Sequence, residues 1–302
     1  MRSQVTLLLL ASAASTPAFA ARLRGNATST TNVGSAQIKY KGFMSCTASS
    51  CQWSGSNVFL ASDVPSCLAV HATHGIQCVL NANFELKLIN GKALYPNWQA
   101  IWNTQVPVMN QLIANGTVAA IFLGDELYCG GTRGNSLATW TAFANAVKAS
   151  CPGADLWANE CGTSLSQSGF AIPPGLDAIS VDQYHMDGYV KDWVKKEVKE
   201  KIYEQTIYPK LASHQRVFLV PGSFSSKLNK KCDADCYKDM IINDIEDYTS
   251  WALSDPKVWG VVPWTWASCG AACGGPHFMD EIGTVALKDV QSAWTTAFDK
   301  LG

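Results

Sequence analysis

From Ile38 onward the chain alternates short apolar runs with longer segments whose apolar residues recur at every third or fourth position. A continuous short apolar run is the mark of a strand buried on both faces, and the longer recurrence marks a helix packed along one stripe. Strands are predicted on this basis at 38–45, 57–61, 76–84, 119–123, 155–160, 176–184, 216–224 and 258–266. Asp63 is placed to cap a helix with Pro65 in its first turn and Gly75 just past its end. Further helices are predicted at 95–114, split in two by Pro107, and at 137–148. Val190, Val194, Val198 and Ile202 mark a surface helix with one apolar stripe. Met240 to Trp251 mark another, stopped by Pro256, and 287–301 form a closing helix. Eight strands alternating with helices call for a single parallel (β/α)8 TIM barrel, irregular at its first unit, where only a short loop joins the first two strands.

Alternate residues of a barrel strand face the lumen. In the sixth strand Ile179 and Val181 share one face, and Ser180, Asp182 and Tyr184 share the other, which is assigned to the lumen. The same alternation sends Phe122, Gly124 and Glu126 inward and Asp125 into the barrel wall. Asn81 shares a face with Asn83 and Glu85; Ala158 and Glu160 lie opposite Trp157 and Asn159; Gly260, Val262, Trp264 and Trp266 point together. The carboxyl ends of barrel strands build active sites, so Glu126, Asp182, Tyr184, Trp264, Trp266 and Glu160 are expected around the mouth. Each has a plain structural alternative. The aromatics could be core, Asp182 could bind a backbone amide, and Glu160 could be a loop residue. His71 and His74 are read as helix surface, and His185 is a weaker site candidate.

Length and charge sharpen this picture. Arg2, the apolar stretch Val5–Ala11 and Ala18-Phe19-Ala20 read as a secretory signal peptide over residues 1–20. Residues 21–36 are a polar leader expected to be disordered. Residues 37–302 are close to the ~250 of a barrel domain. Lys and Arg number 23 against 24 Asp and Glu, a balance that argues against a nucleic-acid partner. No later stretch is long and apolar enough to span a membrane. The expectation is a secreted, extracellular monomer, with Asn26 and Asn115 as glycosylation acceptors.

Eleven cysteines in a secreted chain imply disulfides. Short spacings predict Cys46–Cys51, Cys67–Cys78, Cys232–Cys236 and Cys269–Cys273. Cys129 and Cys161 follow adjacent strand ends and are expected to pair, leaving Cys151 free. The cysteine spacings do not fit a zinc site, and no metal or organic cofactor is expected.

Gly124-Asp125-Glu126 at the fourth strand end, Val181-Asp182-Gln183-Tyr184 at the sixth and Pro263-Trp264-Thr265-Trp266 at the eighth resemble the glycoside-hydrolase-type (β/α)8 barrels. The resemblance implies Glu126 as general acid, with Asp125 orienting it or a substrate group. It departs at the seventh strand, which ends Pro221-Gly222-Ser223-Phe224 without the carboxylate that retaining barrels of the largest clan carry there, and at Asp125, directly before the acid, where that clan usually places Asn. The resulting expectation is a hydrolase of a polysaccharide or glycan. Glu126 and Asp182 would form the acid pair, or Asp125 would hold a reacting N-acetyl group of the substrate. Glu160 is the alternative second carboxylate. Tyr184, Trp264, Trp266, Tyr128 and Asn81 are candidate sugar contacts. Two rival readings are a carbohydrate-binding barrel without turnover and a metal-dependent hydrolase using Glu126, Glu160 and Asp182.

Overall fold

Eight parallel strands carry the apolar runs: β1 (Tyr40–Lys41), β2 (Val58–Ala61), β3 (Gln77–Asn81), β4 (Val118–Asp125), β5 (Asp155–Asn159), β6 (Ala178–Ser180), β7 (Arg216–Leu219) and β8 (Val258–Val261). The structure is a computed structural model. It describes residues 38–44, 55–61, 63–82, 88–90, 93–132, 134–185, 190–226, 234–265, 268 and 281–302. Pairing runs in parallel from β1 through β8, β7, β6, β5, β4 and β3 to β2. This is a nearly closed TIM barrel. Among the described residues only β1 and β2 share no ladder, and Asn57 bridges that seam. Its backbone N–H donates to the Lys41 carbonyl at 2.9 Å. Its Oδ1 accepts from the Lys41 N–H at 2.9 Å, and its Nδ2 donates to the Lys39 carbonyl at 3.0 Å. A side-chain amide thus stands in for a strand peptide where the chain has no ladder to offer.

Helices pack on the outer face of the sheet. Val64–His74 is capped as its sequence predicts: Asp63 accepts from the Ser66 N–H at 2.6 Å, and Gly75 takes the left-handed conformation at φ 69°. Leu137–Ser150 begins at Ser136, whose hydroxyl accepts from the Thr139 N–H at 3.0 Å. Two helices depart from expectation. Trp98–Ala114 runs unbroken through Pro107. The proline deletes one N–H, but burial of Trp98, Trp102, Met109 and Leu112 along one side holds both halves in line. Val194–Ile207 is wound as a π-helix, and its buried residues Val194, Val198, Tyr203 and Ile207 follow a spacing of four and five that suits i→i+5 bonding. The run predicted as one strand at 216–224 ends at Leu219; Phe224–Ser226 pairs instead with Glu281–Gly283 in a separate antiparallel ribbon.

The lumen is filled with side chains. Phe122 and Trp157 rings lie 4.5 Å apart, Trp157 and Phe218 4.7 Å, and Tyr40 and Phe218 5.3 Å. Gly260 makes room for this stack, since a Cβ there would lie 3.0 Å from the Phe218 ring. Disulfides join Cys67 to Cys78 and Cys129 to Cys161, Cys151 is a buried free thiol, and Cys236 is disulfide-bonded. The predicted signal and leader, Asn26, Cys46, Cys51, Cys232, Cys269, Cys273 and Trp266 lie outside the described residues. No helix among the described residues is long and apolar enough to cross a membrane.

Candidate active site

The acidic end of β4 is shaped by an inserted residue. Its register with β5 steps from Phe122↔Trp157 to Asp125↔Asn159, three residues against two. That is a bulge. Gly124 absorbs it at φ 149°, where a Cβ would meet Leu127 at 2.9 Å. The extra residue reverses the alternation, so Asp125 takes the lumen-facing phase of Phe122. The expectations that Asp125 points into the wall and that Gly124 and Glu126 share the inward phase of Phe122 are both corrected on this ground. Glu126 follows in the left-handed region at φ 52°, its N–H donating to the Asn159 carbonyl at 2.8 Å.

On β5 and β6 the alternation holds. Trp157 and Ala178 belong to the lumen cluster while Ala158, Ile179 and Val181 pack outward, so Asn159, Ser180 and Asp182 line the lumen above them. A directed chain of hydrogen bonds connects these residues. Trp157 Nε1–H donates to Ser180 Oγ at 2.8 Å, and the Ser180 hydroxyl donates to Asn159 Oδ1 at 2.7 Å. Asn159 Nδ2 then donates to Asp125 Oδ1 and to Asp182 Oδ1, each at 2.9 Å. Burial pushes the Asp182 carboxyl up to about 7, and the charges of Asp125 and Glu126 add to the rise against the opposing Asn159 hydrogen bond. A carboxyl in this state carries a proton into neutral solution.

Glu160 sits elsewhere. It shares the outward phase of Ala158, is fully buried, and accepts the N–H groups of Tyr128 at 2.9 Å and Cys129 at 3.1 Å with its two oxygens. Burial pushes it up to about 7 as well. Its position in the mouth is therefore corrected: it fixes the loop after β4, beside the Cys129–Cys161 bridge. The Glu126 carboxylate lies within 4.8 Å of both sulfurs of that bridge. Tyr128 turns its ring to Phe170 at 5.8 Å and its hydroxyl to Gln167 at 3.3 Å.

Tyr184 lies edge-on to Phe224, centroids 5.2 Å apart. Gly222 gives it space, since a Cβ there would lie 3.1 Å from the Tyr184 ring. Trp264 is half-buried against the lumen cluster and its N–H donates to the Pro221 carbonyl at 2.9 Å. Asn81 ends β3 in the lumen phase of Val79 and is buried. His185 is turned to Asp244, at 3.3 Å, and stacks on Trp193. At the end of β7, Ser223 is held by Thr284 and by Trp294 Nε1 at 2.7 Å. Asn159, Ser180 and Trp157 were not singled out by sequence. Their signal was the alternation of β5, which places Asn159 on the side of Trp157.

No protein-family model matches the sequence, and no curated protein does. Solved structures do. A GH128 (subgroup I) endo-β-1,3-glucanase from Amycolatopsis mediterranei, in complex with laminaripentaose, is 13% identical over 86% of this chain and 99% of its own, with a TM-score of 0.54. The likeness is one of fold. The chain has the (β/α)8 barrel that these glycoside hydrolases carry. A GH128 (subgroup II) endo-β-1,3-glucanase from Sorangium cellulosum is 11% identical over 85% of this chain and 98% of its own, at TM-score 0.51. A GH2 β-galacturonidase from Eisenbergiella tayi bound to galacturonate is 12% identical over 80% of this chain, at TM-score 0.54. This chain spans 45% of that protein's length.

Proposed function

We propose that the protein is a secreted glycoside hydrolase acting on a polysaccharide or glycan, with Asp182 and Glu126 as its carboxyl pair. The observation that carries this reading is the placement of Asp182, half-buried at a barrel-strand carboxyl end and joined through the Asn159 amide to Asp125, where burial and like charge raise its carboxyl. Glycoside hydrolysis needs one carboxyl that enters protonated and one that enters ionised. Asp182 takes the first role, protonating the leaving oxygen. Glu126 takes the second, and burial, with the charge of Asp125 beside it, favours the proton on Asp182. This exchanges the roles that resemblance alone gives the two residues. β-1,3-Glucans, the substrates in the names of the two GH128 neighbours, are the first polysaccharides to assay. Disulfides among the described cysteines are in keeping with an oxidising compartment.

An aryl glycoside whose phenol leaves readily needs no proton donor, so it separates the roles. Asp182→Asn should lose turnover on the polysaccharide yet keep it on the activated substrate, whereas Glu126→Gln should lose both. The reverse pattern would return the acid role to Glu126.

The end of β7, where Ser223 is committed to Thr284 and Trp294, favours as second reading a barrel that binds sugar without turnover. Isothermal titration against the same glycans, run beside the hydrolysis assay, distinguishes it. The metal-dependent reading has less support. Both Glu160 oxygens accept backbone N–H groups, and the cluster with ligand spacing among the described residues joins Glu126 to two sulfurs that are bonded to each other.

A further inference from the structure

We infer that Asn159 is a positioning residue that fixes the spacing and orientation of Asp125 and Asp182, and that Ser180 and Trp157 lock its amide in the required direction. This rests on the reading above, in which Asp182 delivers the proton. An amide can rotate by half a turn and present either oxygen or nitrogen with little change of shape. Here the direction is set from below. Indole Nε1–H can only donate, so the Ser180 oxygen must accept it, and the Ser180 proton is directed to Asn159 Oδ1. The two N–H bonds of Nδ2 are then left to face upward, one to each carboxyl. All three residues of the chain are buried, so water does not compete for these bonds.

A forked donor has two effects on the pair above it. Both contacted oxygens lie 2.9 Å from a single nitrogen, so they are no farther apart than twice that distance. An amide nitrogen accepts no proton, so it holds the two carboxyls together without relaying a proton between them. The groups that bear on Asp182 are Asp125 and Glu126 from the β4 end and Tyr203 from the helix Val194–Ile207. The Tyr203 hydroxyl is committed to the Phe218 carbonyl at 2.9 Å and accepts the Val181 N–H at 3.2 Å. Asn159 is the uncharged member of the set, and it favours the ionised form of Asp182.

Ser180→Ala tests the lock, since it removes no group that contacts Asp125 or Asp182 directly. The amide is then free to turn its oxygen toward the carboxyls, which favours their protonated form. The Asp182 carboxyl, followed by carbon NMR on labelled protein and assigned by its loss in Asp182→Asn, should titrate at higher pH than in the wild type. The alkaline limb of kcat should move the same way, and kcat should fall by about 10- to 100-fold with KM little changed, as displaced reacting groups require. Ser180→Thr keeps the hydroxyl and should restore both. Trp157→Phe removes the indole donor and should shift the titration in the same direction by less, which keeps the test open if Ser180→Ala does not fold. An unmoved Asp182 titration in a folded variant overturns the inference. The titration is read on the protein without substrate, so it decides the role of Asn159 even if no glycan is turned over, while lack of turnover by the wild type speaks only against the proposed function.

Discussion

The two ends of the barrel treat aspartate differently. At the amino end Asp155 begins β5 in an ion pair with Lys39 and accepts the Tyr40 hydroxyl at 2.5 Å. Nearby Asp177 accepts Lys148 Nζ and the Leu156 N–H, each at 2.7 Å. At the carboxyl end Asp182 meets a neutral amide and the charges of two further carboxylates. The same side chain is anchored in one place by a cation and a peptide donor. In the other it is pressed toward its protonated form by burial and like charge. A lysine opposite a carboxylate gives it a structural anchor, and without one burial and like charge favour the protonated form of Asp182.

The largest expected effect breaks the comparison outright. Asp182→Asn should lower polysaccharide turnover by roughly 100-fold or more with the fold intact. Asp177→Asn should leave kcat unchanged and cost about 1–3 kcal/mol of stability, because it weakens the bonds to Lys148 and the Leu156 peptide. Turnover assays and urea unfolding on both variants check the contrast. Equal losses of turnover would erase the distinction between the two ends.

A smaller effect lies in the pH dependence of stability. The folded state holds the Asp182 proton up to about 7, against an ordinary 3.8, and the Glu160 proton up to about 7, against 4.5. Between those limits the folded chain binds more protons than the unfolded one. Both groups therefore contribute stability that is full at acid pH and is lost as pH rises toward 7. Melting temperatures measured across this window should decline with rising pH, and Asp182→Asn should flatten the decline. A stability that climbs through the window in the wild type would contradict the placement of both groups.

The smallest effect belongs to Lys39. Its side chain is 50% exposed opposite Asp155, and an exposed pair of this kind contributes less than about 1 kcal/mol. Lys39→Ala should shift the urea midpoint only slightly and should leave turnover alone.

Much of this arrangement was legible in the chain. Apolar runs located all eight barrel strands, and Asp63 with Gly75 marked the ends of the first helix. The alternation Ile179/Val181 against Asp182/Tyr184 pointed the β6 carboxylate into the lumen, and strand-end positions paired Cys129 with Cys161. What escaped depended on contacts between distant segments. The bulge that turns Asp125 inward exists only as a mismatch of count between β4 and β5, and no pattern within either strand announces it. Glu160 carries the same label in sequence as Glu126. Its capture by the Tyr128 and Cys129 peptides follows from where the next loop lies. Pro107 signalled a break that burial of neighbouring aromatics overrode.

The Phe122–Trp157–Phe218 stack also closes the space beneath the carboxyl groups. Among the described residues the candidate site therefore has a floor of packed rings. On the proposed reading, a polysaccharide would lie across the mouth instead of being drawn through the barrel.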